Sequence, residues 1–349
     1  MIEGRINLYS DTQTRPTLAM KEAMMDAPMG DEQHGQDPSV LALCEKVAEL
    51  MGKETAVFLP SGTMCNELAI LVHCRPGDEV YADRTTHIIN SEAGGPAALA
   101  GVSTYPLDGN QGIYSANQLQ EAIRRESRYT PRPQLVVFEQ TANLAGGTIW
   151  PLETMQAVQA VARERGLLLH IDGARLLNAV VASGVPAATY GACADSIWLD
   201  LTKGLGCPVG AVLAGSQSFI DEVWRWKQRV GGALRQAGML AAAGIYALDH
   251  HVNRLADDHA NAQRLAELFT AIEGESLVSS AVESNLVFLD VAKTGLQARA
   301  ISLALEKQGV NIGAFGATVL RAVTHLDVNT AQIEEAGQIF VNTVAKLQS

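Results

Sequence analysis

Two short apolar runs constrain this chain most. One is Leu167-Leu168-Leu169-His170-Ile171, closed by Asp172; the other is Ser196-Ile197-Trp198-Leu199-Asp200-Leu201, followed by Thr202-Lys203-Gly204. Each has the length and composition of a strand buried on both faces. A helical and turn segment lies between them, and strand and helix patterns alternate in the same way up to about residue 215. That alternation predicts an α/β fold, with a mostly parallel sheet and helices on both of its faces. Ligands of such sheets meet the carboxyl ends of the strands. Asp172 and Lys203 are thereby predicted to face one crevice, where the glycine-rich turn after Lys203 lets backbone approach a ligand closely.

An acid and a lysine so placed suit pyridoxal phosphate. The amine forms a Schiff base with the aldehyde, and the acid pairs with the protonated pyridine nitrogen. Taken singly, a strand-end aspartate and a lysine in a turn carry no such meaning. Two further stretches support the reading. Thr55–Leu59 reads as a strand and runs into Pro60-Ser61-Gly62-Thr63 at the start of a helix. Free N–H groups and the helix dipole make that turn an anion site suited to a phosphate. His87 follows the strand Glu79–Ala82 and precedes the small-residue run Ser91-Glu92-Ala93-Gly94-Gly95, where an imidazole can stack on a ring.

At 349 residues the chain is long enough for more than one core. We expect a large domain over residues 6–251 and a smaller α+β domain over 252–349, reached through a long helix from Val252 to Ile272. Ser39 reads as the N-cap of a helix from Val40 to Met51. A net charge of −12 argues against nucleic acid or an anionic membrane as partner. Five cysteines without a C-x-x-C pair support neither a disulfide framework nor a zinc site, and no metal site is evident. Reduced thiols, no apolar run of membrane-spanning length and no signal-peptide pattern point to the cytoplasm. Ile2-Glu3-Gly4-Arg5 matches a protease-cleavage sequence and is left out of the fold argument.

With these residues in view, the chain resembles the L-threonine aldolase family of fold-type-I pyridoxal-phosphate enzymes, nearly end to end. The motifs are P-S-G-T at 60–63, H-I-x-x-x-E-A-G-G at 87–95, H-x-D-G-A-R-x-x-N-A at 170–179, T-K-G-L-G-x-P-V-G at 202–210 and R-Q-A-G-x-L-A-A-A at 235–243. The resemblance implies a large domain with a seven-stranded sheet and a small C-terminal domain. It implies cleavage of L-threonine, L-allo-threonine or a related β-hydroxy-α-amino acid to glycine and an aldehyde, by a homo-oligomer, a tetramer by expectation. Lys203 is then the Schiff-base lysine, Asp172 the partner of the pyridine nitrogen and His87 the residue stacked on the ring. Gly62 and Thr63 bind the phosphate, with Arg235 reaching it across a subunit interface. Ser10, Arg175 and Arg321 bind the substrate carboxylate, a task that suits guanidinium forks.

The chain departs from the family at two informative places. Where the family has E-N-T-H-N, it has Glu139-Gln140-Thr141-Ala142-Asn143, so the histidine that contacts the β-hydroxyl is missing. Where the family has D-D-x-Y-G, it has Asp31-Glu32-Gln33-His34-Gly35. These changes leave the β-substituent preference and the base open. His87 is one candidate base. His34 is another, replacing across the pocket the imidazole that Ala142 lacks, while the simpler reading is that Ala142 enlarges the pocket for a bulkier aldehyde. Competing functions are a lyase, racemase or transaminase acting elsewhere on the same cofactor-bound amino acid, and a non-catalytic amino-acid-binding homologue.

Overall fold

The run Leu168–Asp172 forms a strand in which every residue but the first is buried, and its neighbours in the sheet are built the same way. The computed structural model describes residues 5–125, 127–272, 276–279 and 281–348, so Ile2-Glu3-Gly4 of the protease-site motif lies outside the described residues. In chain order the strands are β1 (Ile6–Asn7), β2 (Thr55–Leu59), β3 (Asp78–Asp83), β4 (Ser103–Leu107), β5 (Arg132–Glu139), β6 (Leu168–Asp172), β7 (Ser196–Asp200) and β8 (Ala211–Gly215). After them come β9 (Ser276–Leu277), β10 (Leu286–Asp290), β11 (Val310–Asn311), β12 (Gly313–Phe315) and β13 (Val319–Val323).

Seven strands form the main sheet in the order β2-β8-β7-β6-β5-β3-β4. Only β8 runs against the rest, pairing antiparallel with both β2 and β7. The fold is thus the mostly parallel α/β architecture expected of fold type I. Because the other strands share a direction, the segments leaving β2, β3, β5, β6 and β7 all emerge at one edge. That edge receives Gly62, His87, Glu139, Asp172 and Lys203. The sheet faces are covered by two apolar layers, one including Phe58, Phe138, Trp150 and Ile171 and the other Val57, Leu68, Val137 and Trp198.

The second body is a four-stranded sheet, β12-β13-β10-β9, with helices Leu255–Thr270, Ala298–Glu306 and Thr330–Gln348 around it. Its core joins Phe269, Ile301, Leu320 and Phe340 to Ile6 and Leu8 from the start of the chain. β1 pairs in parallel with β11, and Leu8 bridges to Asn311 and Val323 through backbone hydrogen bonds of 2.8 and 2.9 Å. The helix Leu255–Thr270 spans the two bodies, with Leu255 in the main core and Leu265 in the second.

One local expectation is corrected. The helix predicted from Val40 begins at Pro38, and its N-cap is Asp37, whose Oδ1 accepts from the Val40 N–H at 3.1 Å. Proline is favoured at the first helical position because its missing N–H would have no partner there. Ser39, expected as the cap, instead donates its hydroxyl to the Pro28 carbonyl. Among the described residues no helix is long and apolar enough to cross a membrane, and all five cysteines are unpaired.

Candidate active site

At the end of β7, Asp200 folds the chain into a tight turn. Its Oδ1 accepts from both the backbone N–H and the hydroxyl of Thr202, at 2.7 and 2.8 Å, while its Oδ2 pairs with Lys203 Nζ. Thr14 locks the turn from the far end of the chain, donating its hydroxyl to the carbonyls of Thr202 and Lys203. Lys203 is therefore a mostly buried amine with a carboxylate partner, lying 5.8 Å from the Trp198 ring.

Asp172 closes β6 and is 2% exposed. Each of its oxygens has one donor: the Ala174 N–H at 3.0 Å and the Asn66 side-chain amide at 2.7 Å. Burial raises its pKa, opposed by His87 and by the Asn66 hydrogen bond. A buried carboxylate with lone pairs to spare is what a cationic ring nitrogen needs.

Asn66 is the node behind it. Its Oδ1 faces the Trp198 indole N–H at 2.7 Å, and an indole can only donate, so the amide orientation is fixed. The NH2 group must then face Asp172 and Glu92, each at 2.7 Å. His170 Nε2 lies 3.2 Å from the same Oδ1 and must be its donor. Burial pushes the His170 pKa down to about 3, so the ring is neutral and its Nδ1 accepts from the Ser196 hydroxyl at 2.8 Å. Glu92 in turn holds His87 Nδ1 at 2.7 Å, and that hydrogen bond is the main cause of a raised His87 pKa, with burial opposing it. His87 Nε2 has no hydrogen bond among the described residues. Glu139, at the end of β5, fixes the His87 backbone N–H at 2.5 Å and that of Asn143 at 2.8 Å.

The helix Gly62–His73 starts beside this cluster, capped by the Ser61 hydroxyl on the Met64 N–H. The first N–H groups of a helix have no intrahelical acceptor, so those of Gly62 and Thr63 are available to an anion. Gly62 is required by packing, since a Cβ there would overlap the Trp198 indole.

Two guanidinium groups complete the edge. Arg175, 4% exposed, forms a bidentate pair with Asp11 at 2.7 and 2.8 Å. Burial works to raise the Asp11 pKa, yet Arg175 holds it well below the usual carboxylate range. Arg321, from β13, has no such partner. It makes two long contacts of 3.4 Å, to Asn143 Oδ1 and the Tyr9 carbonyl, and stacks 4.3 Å from the Phe315 ring. Its Nε is buried without an acceptor. Burial first, and then the charge of Arg175, push its pKa down to about 10. A buried cation short of acceptors, sharing Asn143 with a second arginine, fits a carboxylate ligand. Ser10 lies at this corner, buried next to Asp11, its hydroxyl accepting from Thr12.

Lys203, Asp172, His87, Gly62, Arg175 and Arg321 are thus linked through shared partners at one sheet edge. His34 and Arg235 are elsewhere. They meet each other through Asp31, at 2.8 and 3.0 Å, with side chains 67% and 58% exposed. Cavities of about 690 Å3 beside Cys44 and Trp224, and about 590 Å3 beside His259 and Glu283, include none of the predicted site residues. Sequence reading missed Asp11, Asn66, Glu92, Glu139, Asn143 and Asp200. Asn66 and Glu92 did carry a signal: one falls a helical turn after Gly62, the other five residues after His87 within the same motif.

Residues 7–293 match the beta-eliminating lyase family. The chain is 40% identical over 331 residues to the low specificity L-threonine aldolase of Escherichia coli strain K12, covering 95% of this chain and 96% of that one. It is 36% identical over 353 residues to low-specificity L-threonine aldolase 1 of Arabidopsis thaliana, covering 100% and 99%. The solved threonine aldolase of Leishmania major superposes with a TM-score of 0.82 at 21% identity, over 98% of this chain and 99% of that one. The chain belongs to the L-threonine aldolase family.

Proposed function

We propose that this protein is a pyridoxal-phosphate-dependent aldolase, a carbon–carbon lyase that cleaves L-threonine, L-allo-threonine or a related β-hydroxy-α-amino acid to glycine and an aldehyde. The observation that carries it is the buried Arg321, short of acceptors, beside Arg175 and linked to the edge that holds Lys203 and Asp172. It supplies a carboxylate site where an amine, an acid and a helix N-terminus can hold the cofactor.

In this reading Lys203 holds the cofactor aldehyde, Asp172 the ring nitrogen, His87 the ring face, and Gly62 with Thr63 the phosphate. Bound pyridoxal phosphate supplies an electron sink for the bond broken at the substrate Cα. Arg321 and Arg175, with Ser10, hold the carboxylate and so decide which Cα bond is presented for cleavage. Nδ1 of His87 is committed to Glu92, which leaves Nε2 to take the β-hydroxyl proton, directly or through a water, and to return a proton at Cα. A proton acceptor backed by a carboxylate suits both transfers.

Arg235 and His34 complete the site from a second copy, in a cytoplasmic homo-oligomer that we take to be a tetramer. Their exposure and their shared tie to Asp31 support placing them at a subunit contact. On that placement His34→Phe lowers aldehyde release; full turnover in the variant removes His34 from the chemistry.

The test is release of glycine and aldehyde from L-threonine, L-allo-threonine and β-phenylserine by the cofactor-loaded protein. Cofactor binding without glycine from any of them overturns the reading in favour of a different lyase, a racemase, a transaminase or a binding protein. Arg321→Ala is expected to lower kcat/KM by roughly 10²-fold, from the loss of a buried charge-assisted pair to the carboxylate. The effect should fall mainly on KM, and an unchanged KM argues against carboxylate binding by Arg321.

A further inference from the structure

Glu67 has no part in the chemistry above, yet it borders the groups that do. It follows Asn66 on the helix Gly62–His73 and is 5% exposed. Neither of its carboxyl oxygens has a hydrogen-bond partner, and Oε2 of Glu92 is in the same position. Gly95 brings the two residues together: its Cα faces Glu67 Oε1, and its N–H donates to the Glu92 carbonyl at 2.8 Å, so the charge of Glu92 acts on Glu67. Among the described residues no cation balances Glu67: helix Gly95–Ala100, packed against its helix, carries no titratable residue, and Lys227 of the packed helix Gln217–Arg229 is committed to Glu32. The remaining charges of that helix are at its surface or paired there. β2 and β8 offer none, and the sheet side contributes the anions Glu139, Asp172 and Asp200, the last paired with Lys203. His73, on Glu67's own helix, is held neutral by burial.

The E-A-G-G run makes room for this carboxyl. A Cβ on Gly95 would overlap Glu67 Oε1, and the φ of Gly95 is not positive, so the carboxyl of Glu67 fills the space that this glycine leaves open. Two adjoining buried carboxylates cannot both stay ionised without a cation.

We propose that Glu67 and Glu92 hold one proton between them, that Glu67 carries it at neutral pH, and that through Glu92 it sets the protonation of His87. Glu67 is then a positioning residue. Its effect on turnover rests on the role given to His87 above, whereas the shared proton does not. Burial, followed by the charge of Glu92, pushes the Glu67 pKa up to about 8. Below that pH the pair carries a single charge, which Glu92 shares between His87 and Asn66. Above it a second negative charge appears, favours the imidazolium of His87 and withdraws the base.

The test uses the cofactor-loaded protein and needs no turnover. A glutamate free in the unfolded chain titrates near 4.5, so between that pH and about 8 the native state holds the extra proton. The contribution of Glu67 to wild-type stability must therefore fall with rising pH across this window. Glu67→Gln keeps a donor toward Glu92 and lacks that fall. The Tm of the variant is expected to match wild type near about pH 4.5 and to exceed it by a few degrees above about pH 8. In parallel, the His87 imidazole signal, assigned by its loss in His87→Asn, is expected to titrate in two steps in wild type, one near the Glu67 pKa, and in one step in Glu67→Gln. A Tm difference that does not change with pH overturns the proposal. If the variant does not fold, the wild-type titration decides alone: a single His87 step overturns it.

Discussion

Lys203→Ala is expected to abolish glycine release, a loss on the order of 10³-fold or more, because among the described residues no other lysine is tied to this edge to take its place. The structure separates this chemical effect from a structural one. Lys203 is the only cation paired with Asp200 among the described residues, so its removal leaves a buried carboxylate supported by Thr202 alone. That costs about 1–3 kcal/mol of stability, too little to unfold a typical domain. The variant should fold, bind the cofactor through its other contacts, and lack the visible absorption of the lysine-linked form. Absorbance, Tm and glycine release, measured together, check it. Glycine release within tenfold of wild type would take Lys203 out of the reaction.

Asp172→Asn is expected to lower kcat by about 10²–10³-fold and to weaken cofactor binding, since the variant keeps the volume of Asp172 but not its charge. Its neighbours sharpen the effect. Both Asp172 oxygens accept, one from Ala174 and one from Asn66, and Asn66 cannot turn over because the Trp198 indole fixes it. An asparagine at 172 must point its NH2 at one of these donors, adding a buried clash of about 1–3 kcal/mol. Single-turnover rates and cofactor titrations give the two quantities. A kcat within threefold of wild type would mean that the ring nitrogen needs no anion here.

The strand ends were legible because buried strands announce themselves as short apolar runs, and because a parallel sheet delivers its carboxyl ends to one edge. Thr55–Leu59 was predicted to the residue. β8 was not marked, since Ala211–Gly215 is a run of small residues that follows directly on the glycine-rich turn. The sequence singled out Lys203 and Asp172 by their own chemistry and Arg321 through the family resemblance, and the structure links all three to one edge. The site was not legible where the chemistry belongs to a pair. Nothing local ties Asn66 to Asp172 or Glu67 to Glu92, because each pairing is made by strand order. Asp37 was overlooked for a related reason: the serine two positions on is an equally good cap until Pro38 is given the first helical position.

The earliest strand has a consequence for the order of assembly. β1 is synthesised long before its partner β11 and the core that receives Leu8. Asp11, which orients Arg175, is carried on that same segment. The main sheet can mature while this leader waits, and closing so long a loop is a late and slow event. A polypeptide halted before β13 would hold Asp172 and Lys203 at their strand ends, yet lack Arg321 beside Arg175.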